Sequence, residues 1–184
     1  MNSDSNGLFD SNDTILLIVD MQEKLLPLIP QAPDCTQNIV KLMKLAAILN
    51  IPTVLTEQEN LGATAPEILN EMPQLKPIRK LQFSCFGSTE FSTHLHSLKR
   101  NSLIITGIEA HICVAQTAIE GRAAYAIQLV ADAVASRLEA NKRIALERLR
   151  QLGVTVSSTE MVIYELLRQA GTEPFRMALR AILK

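Results

Sequence analysis

Six short apolar runs, most of them rich in β-branched residues and ending on or beside a polar side chain, constrain this chain more than any other feature. They are residues 14–19 (TILLIV), 53–56 (TVLT), a weaker run just before Lys80, 103–106 (LIIT), 126–130 (AIQLV) and 154–156 (VTV). Continuous apolar runs of this length are what a strand buried on both faces requires. Between them lie helical patterns at 36–50, 88–99, 111–125, 138–152 and 158–169. Buried strands alternating with amphipathic helices make right-handed βαβ crossovers, which put helices on both faces of a parallel sheet. The pattern predicts a three-layer, doubly wound α/β fold with a six-stranded parallel sheet. Gly153 stands where a helix C-cap is wanted, Ser158 opens a further helix, and a last one is expected near 175–183, packed at an edge or on another subunit.

At 184 residues the length suits one domain, burying roughly 70% of its unfolded surface. That domain is expected over 14–184, after a Ser/Asn/Asp-rich flexible tail at 1–13 without chemistry. Lys and Arg total 18 against 19 Asp and Glu, so no global field attracts phosphate backbones or anionic lipid. With no Trp, two Tyr and five Phe, a base-stacking platform is unsupported. The expected partners are a small-molecule substrate and further copies of the chain, with neither nucleic acid nor membrane. Cys35, Cys85 and Cys113 are far apart and form no CxxC or zinc-spaced cluster, so neither a disulfide framework nor a metal site is expected. The opening residues lack the charge and apolar pattern of a secretory signal, which favours the cytoplasm.

Ligands of open parallel sheets bind beyond the carboxyl ends of the strands. Asp20, Glu57 with Gln58, Lys80, Glu109 with His111, and Asp132 all follow apolar runs. No P-loop or GxGxxG follows the first strand. Cys113 has the most informative context: 106–114 (TGIEAHICV) passes from strand through loop into helix. A thiol at a helix N-terminus near a lysine is expected to have a lowered pKa, and the same N–H groups could receive an oxyanion. Taken singly, each residue has a plainer explanation: a buried apolar cysteine, an Asp capping the next helix, a solvated Lys. Together, Asp, Lys and Cys after three strands supply a nucleophile, a base and a charge to hold the base.

The segments 18–22 (IVDMQ), 80–86 (KLQFSCF) and 107–114 (GIEAHICV) resemble, in order, the three signature blocks of the isochorismatase-like cysteine hydrolases. Residues 56–58 (TEQ) and 131–137 (ADAVASR) are also similar to family blocks. The resemblance implies Cys113 as nucleophile, Asp20 as general base and then acid, and Lys80 as the group that holds Asp20. It also implies a cis peptide between Ile108 and Glu109, and an oxyanion hole from the backbone N–H groups of Glu109 and Cys113. Gln22 and Phe83, within the blocks, and Gln58 become candidate substrate contacts. The chain departs from the nicotinamidases of the family, whose metal-binding Asp-x-His block is replaced by Thr56-Glu57-Gln58-Glu59-Asn60; no cofactor is implied. Retention of Cys113 favours an amide, ureido or carbamoyl substrate over the vinyl ether of isochorismatase itself. Two other readings stand beside it: a non-catalytic oligomeric scaffold on the same fold, and a redox-sensing thiol with Cys85 as its resolving partner.

Overall fold

A computed structural model describes residues 7–182. Its strands are β1 (Thr14–Val19), β2 (Thr53–Gln58), β3 (Ile78–Lys80), β4 (Ser102–Ile108), β5 (Ala126–Ala135) and β6 (Thr155–Ser157). Its α-helices are α1 (Ala32–Leu49), α2 (Pro66–Glu71), α3 (Thr89–Ser97), α4 (Ala115–Gly121), α5 (Glu139–Gln151), α6 (Thr159–Leu167) and α7 (Glu173–Ala181). The strands form one parallel sheet in the order β3-β2-β1-β4-β5-β6. This is the doubly wound architecture that the alternating pattern predicts.

Every residue of β1 is buried because the strand is central and covered on both faces. Leu16 and Ile18 pack with residues of α1, α2, α6 and α7, whereas Ile15, Leu17 and Val19 pack with residues of α3, α4 and α5. Two apolar cores thus lie back to back across the sheet, which is why the run shows no period-2 alternation. The chain winds from β1 outward to β3, then crosses back to β4 on the other side of β1. The strand order therefore reverses between β1 and β4, and the carboxyl ends of these two strands flank the crevice where such folds bind ligands.

Helix α1 begins at Ala32 rather than Thr36, because Pro33 in its first turn suits a helix start. Strand β5 runs on to Ala135, past an irregularity in its pairing with β4. The short helix α2 carries too few apolar positions to show a period. Residues 8–13, read from composition as a fraying tail, are fastened to the body. Phe9 is buried, its N–H donates to Glu165 Oε1 at 2.6 Å and its carbonyl accepts from Arg168 Nη2 at 2.6 Å. Residues 1–6, the rest of that expected tail, and residue 183, the last of the expected final helix, lie outside the described residues.

Candidate active site

Asp20 is the first residue after β1, and its carboxylate is fully buried. Its backbone is left-handed, at φ 51°, a conformation uncommon for a residue with a Cβ. The chain turns sharply there, and the Gln22 N–H donates back to the Asp20 carbonyl at 2.8 Å. Beside it in β4, Gly107 pairs with Val19 at φ 104°. A Cβ on Gly107 would fall on the Val19 carbonyl oxygen and 2.6 Å from its nitrogen. Only glycine lets the two strands approach so closely where the order reverses.

Lys80 ends β3, two strands away from β1, and reaches across so that its Nζ lies 2.6 Å from Asp20 Oδ2, both side chains being wholly excluded from solvent. The same ammonium donates to Gln58 Oε1 at 3.0 Å and to the Gln82 carbonyl at 3.3 Å. Thr56 donates its hydroxyl to the other Asp20 oxygen, Oδ1, at 2.8 Å. The Asp20 carboxylate is thus held at both oxygens by residues of β2 and β3. Alternation along β2 sets this up: Thr56 and Gln58 serve the cluster, while Glu57 binds the Thr64 N–H and hydroxyl, at 2.8 Å each, and Arg79.

Beyond β4 the Ile108–Glu109 peptide is cis. Residues Ala110–Val114 then form one π-helical turn leading into α4. Cys113 lies within this turn, 7% exposed, with Asp20 and Lys80 both near enough to act on its thiol. The turn is tied to the end of β5: the Glu109 carboxylate accepts from Arg137 N at 2.8 Å and Arg137 Nε at 3.0 Å, and His111 Nδ1 pairs with Ser136 Oγ at 3.0 Å.

A lowered thiol pKa, expected from position in sequence, is not what the surroundings produce. Burial, reinforced by the Asp20 charge and hydrogen bond and only partly opposed by Lys80, pushes Cys113 up to about 12. Desolvation outweighs the nearby cation because the cation is already paired with a carboxylate. The resting thiol is therefore protonated near neutral pH. Cys85 is buried as well and raised to about 11, first by burial; its sulfur lies 3.9 Å from Thr56 Oγ1.

Sequence position thus led to Asp20, Lys80 and Cys113, which the fold brings together from three strands. The remaining candidates are distributed differently. Gln22 is buried with both ends of its amide on backbone groups, so its place in a motif reflects loop anchoring. Gln58 is turned toward Lys80 and donates to the Leu81 carbonyl at 2.7 Å. Phe83 is exposed on the loop after β3. Asp132 lies apart, accepting from the Thr159 N–H at 2.7 Å and hydroxyl at 2.9 Å at the start of α6. The contribution of Thr56 was missed; its position two residues from Gln58 on one strand face was the available signal. Among the described residues no group of three or more His, Cys, Asp or Glu is arranged to hold a metal ion. No helix among them is long and apolar enough to cross a membrane.

Comparison with known proteins agrees with this architecture. The Isochorismatase domain family model matches residues 14–161. Isochorismatase domain-containing protein 2 of Danio rerio is 38% identical over 173 residues, covering 92% of this chain and 87% of its own. Among solved structures, the MAR1 ribonuclease of Caenorhabditis elegans superposes with a TM-score of 0.89 at 29% identity, covering 96% and 93% of the two chains. YcaC of Pseudomonas aeruginosa, solved with hexane-2,5-diol and covalent acrylamide, has a TM-score of 0.88 at 25% identity, covering 97% and 93%. YcaC of Escherichia coli, described as an octameric hydrolase of unknown specificity, has a TM-score of 0.82 at 27% identity, covering 88% and 83%. With its sheet order, its switch point between β1 and β4 and a family match across most of its length, this chain is a member of the isochorismatase-like hydrolase family.

Proposed function

We propose that this protein is a cysteine hydrolase of small carboxamide, ureido or carbamoyl compounds, with Cys113 as nucleophile and Asp20 and Lys80 completing the catalytic set. The observation that carries this reading is a solvent-excluded Lys80–Asp20 pair at 2.6 Å whose two charges both bear on the Cys113 thiol. A buried ion pair is costly to maintain and contributes little net stability. Its placement against a thiol is what general-base chemistry needs.

In this reading the Cys113 proton passes to Asp20 as Sγ attacks the substrate carbonyl carbon, because a thiol raised to about 12 cannot supply a standing thiolate near neutral pH. Negative charge gathers on the carbonyl oxygen, facing the backbone N–H groups of Glu109 and Cys113. Asp20 returns the proton to the leaving nitrogen as the C–N bond breaks, leaving a thioester on Cys113. Asp20 then takes a proton from an attacking water, and the thioester collapses to acid and free thiol. Lys80, being fully enclosed, acts throughout on Asp20 and not on substrate.

The covalent acrylamide in the P. aeruginosa YcaC structure supports the choice of a small carboxamide as probe. The C. elegans neighbour is named a ribonuclease; the near-balanced charge of this chain offers little attraction for RNA phosphates, so RNA serves as the control substrate. Free cysteines suit a reducing compartment such as the cytoplasm. The exposed Met161, Tyr164, Met177 and Leu179 of α6 and α7, with the octameric E. coli neighbour, favour a homo-oligomer.

Purified protein screened against a panel of small amides and ureido compounds is expected to release ammonia, and to leave RNA intact. RNA cleavage with no amide turned over would reverse the assignment. Turnover is expected to survive exhaustive dialysis against EDTA, since catalysis is assigned to Asp20, Lys80 and Cys113; loss of activity restored by zinc or manganese would refute that. Brief treatment with iodoacetamide, followed by peptide mass spectrometry, is expected to label Cys113 at least about tenfold faster than Cys35 or Cys85. All three thiols are raised by burial, Cys35 also to about 12, so access and an adjacent base decide the order. Preferential labelling of Cys35 would remove Cys113 as nucleophile.

A further inference from the structure

Gln58 is held in a pincer. Its backbone N–H donates to Gln22 Oε1 at 2.8 Å, and Gln22 Nε2 donates back to the Gln58 carbonyl at 2.9 Å and to the Gly62 carbonyl at 2.7 Å. The Gln58 side chain is stretched between two further partners, accepting from Lys80 Nζ at 3.0 Å and donating to the Leu81 carbonyl at 2.7 Å. Lys80 therefore has three acceptors, Asp20, Gln58 and the Gln82 carbonyl, of which Asp20 alone bears charge. A side chain one atom different, glutamate, would reach the same ammonium and bring a second negative charge. The other charged groups around the cluster are already engaged: Glu57 with Thr64 and Arg79, Glu109 with Arg137, and Glu120 with Ser84. The groups that act on the Cys113 thiol are Asp20, Lys80 and Cys85.

We infer that Gln58, clamped by Gln22, is a positioning residue that fixes the Lys80 ammonium against Asp20 through a neutral acceptor, so that Cys113 gives up its proton beside one compensated carboxylate and no second negative charge. The inference rests on the reading of Asp20, Lys80 and Cys113 as the catalytic set and extends it to a residue whose side chain bonds Lys80. Neutrality matters as much as reach. Gln58 is half-buried but reaches into the enclosed Asp20–Lys80 pair, so a charge added there is screened less than in open water.

The test is the pH dependence of Cys113 alkylation by iodoacetamide, followed by peptide mass spectrometry on the full chain, in wild type, Gln58→Glu and Gln58→Met. It needs no substrate. Gln58→Glu is expected to move the alkylation curve about one pH unit alkaline, a roughly tenfold slower reaction on its rising limb. Gln58→Met removes the acceptor without adding charge and is expected to slow labelling about threefold at the same pH, because Lys80 is held less firmly. A merely structural glutamine would change melting temperature and leave both curves on that of wild type. Curves coinciding with wild type in folded variants would overturn the inference while leaving Cys113 as nucleophile. If the Glu variant does not fold, the Met curve decides by the same criterion. If wild-type Cys113 resists alkylation while Cys35 reacts, the catalytic reading itself fails and this inference with it.

Discussion

Replacing Lys80 by Met is expected to lower turnover of a responsive amide by at least about two orders of magnitude, the scale of lost acid–base machinery. It is also expected to destabilise the fold by about 3 kcal/mol or more. Considered without its surroundings, removal of a buried lysine charge promises little change or even a gain in stability. The structure reverses that expectation, because Asp20 is wholly enclosed and Lys80 is its counter-charge at 2.6 Å. Breaking a buried pair from one side leaves the other charge uncompensated, which costs roughly 3–5 kcal/mol. The double variant Lys80→Met with Asp20→Asn removes both charges, and should recover most of the lost stability while remaining inactive. Arg79→Met is the control. Its side chain is largely exposed and pairs with Glu57 at 3.7 Å, outside the cluster, so it should retain most activity. Kinetics and chemical denaturation of the three variants beside wild type separate the roles. If Lys80→Met and Arg79→Met behave alike, Lys80 is a structural charge.

Gly107→Ala is expected to be the most damaging small substitution in the chain, lowering stability by at least about 4 kcal/mol. For a chain of this size that is a fall in melting temperature of about 10 °C or more. Two causes add. A residue with a Cβ is strained at φ 104°, and the added carbon would strike Val19 backbone that cannot move without separating β1 from β4. Gly153→Ala isolates the first cause, since Gly153 has φ 81° with open space around its Cβ position; it should cost only about 1–2 kcal/mol. Thermal melts of the two variants provide the comparison. Equal costs would mean that β1 and β4 can part without penalty. Because Val19 immediately precedes Asp20, any Gly107→Ala protein that folds should also lose activity by displacing the carboxylate.

The same junction shows how far the amino-acid sequence reaches. Residues 14–19 name a doubly covered strand by themselves, since six consecutive apolar or β-branched residues suit no half-exposed position, and the spacing of the later runs fixes the α/β class. Asp20, Lys80 and Cys113 were found from their places at strand ends and from family-like blocks, both of which are local in sequence. The Asp20–Lys80 pair, by contrast, joins residues 60 positions apart and exists only because β2 lies between β1 and β3 in the sheet. The surroundings of the thiol were equally out of reach. A helix start and a nearby lysine argue for a lowered pKa, but desolvation depends on what the finished fold lays over Cys113, and it pushes the group up to about 12. Phe9 tells the same story near the N-terminus: an isolated apolar pair, Leu8-Phe9, in a polar segment reads as a fraying end until Glu165 and Arg168, more than 150 positions away, hold the Phe9 backbone. Sequence determined which residues are strands and which side chains end them, because these are properties of periodicity and local chemistry. Tertiary structure decided which of those side chains meet, which charges are compensated and where protons rest, because burial and pairing depend on contacts between segments that the order of residues does not contain.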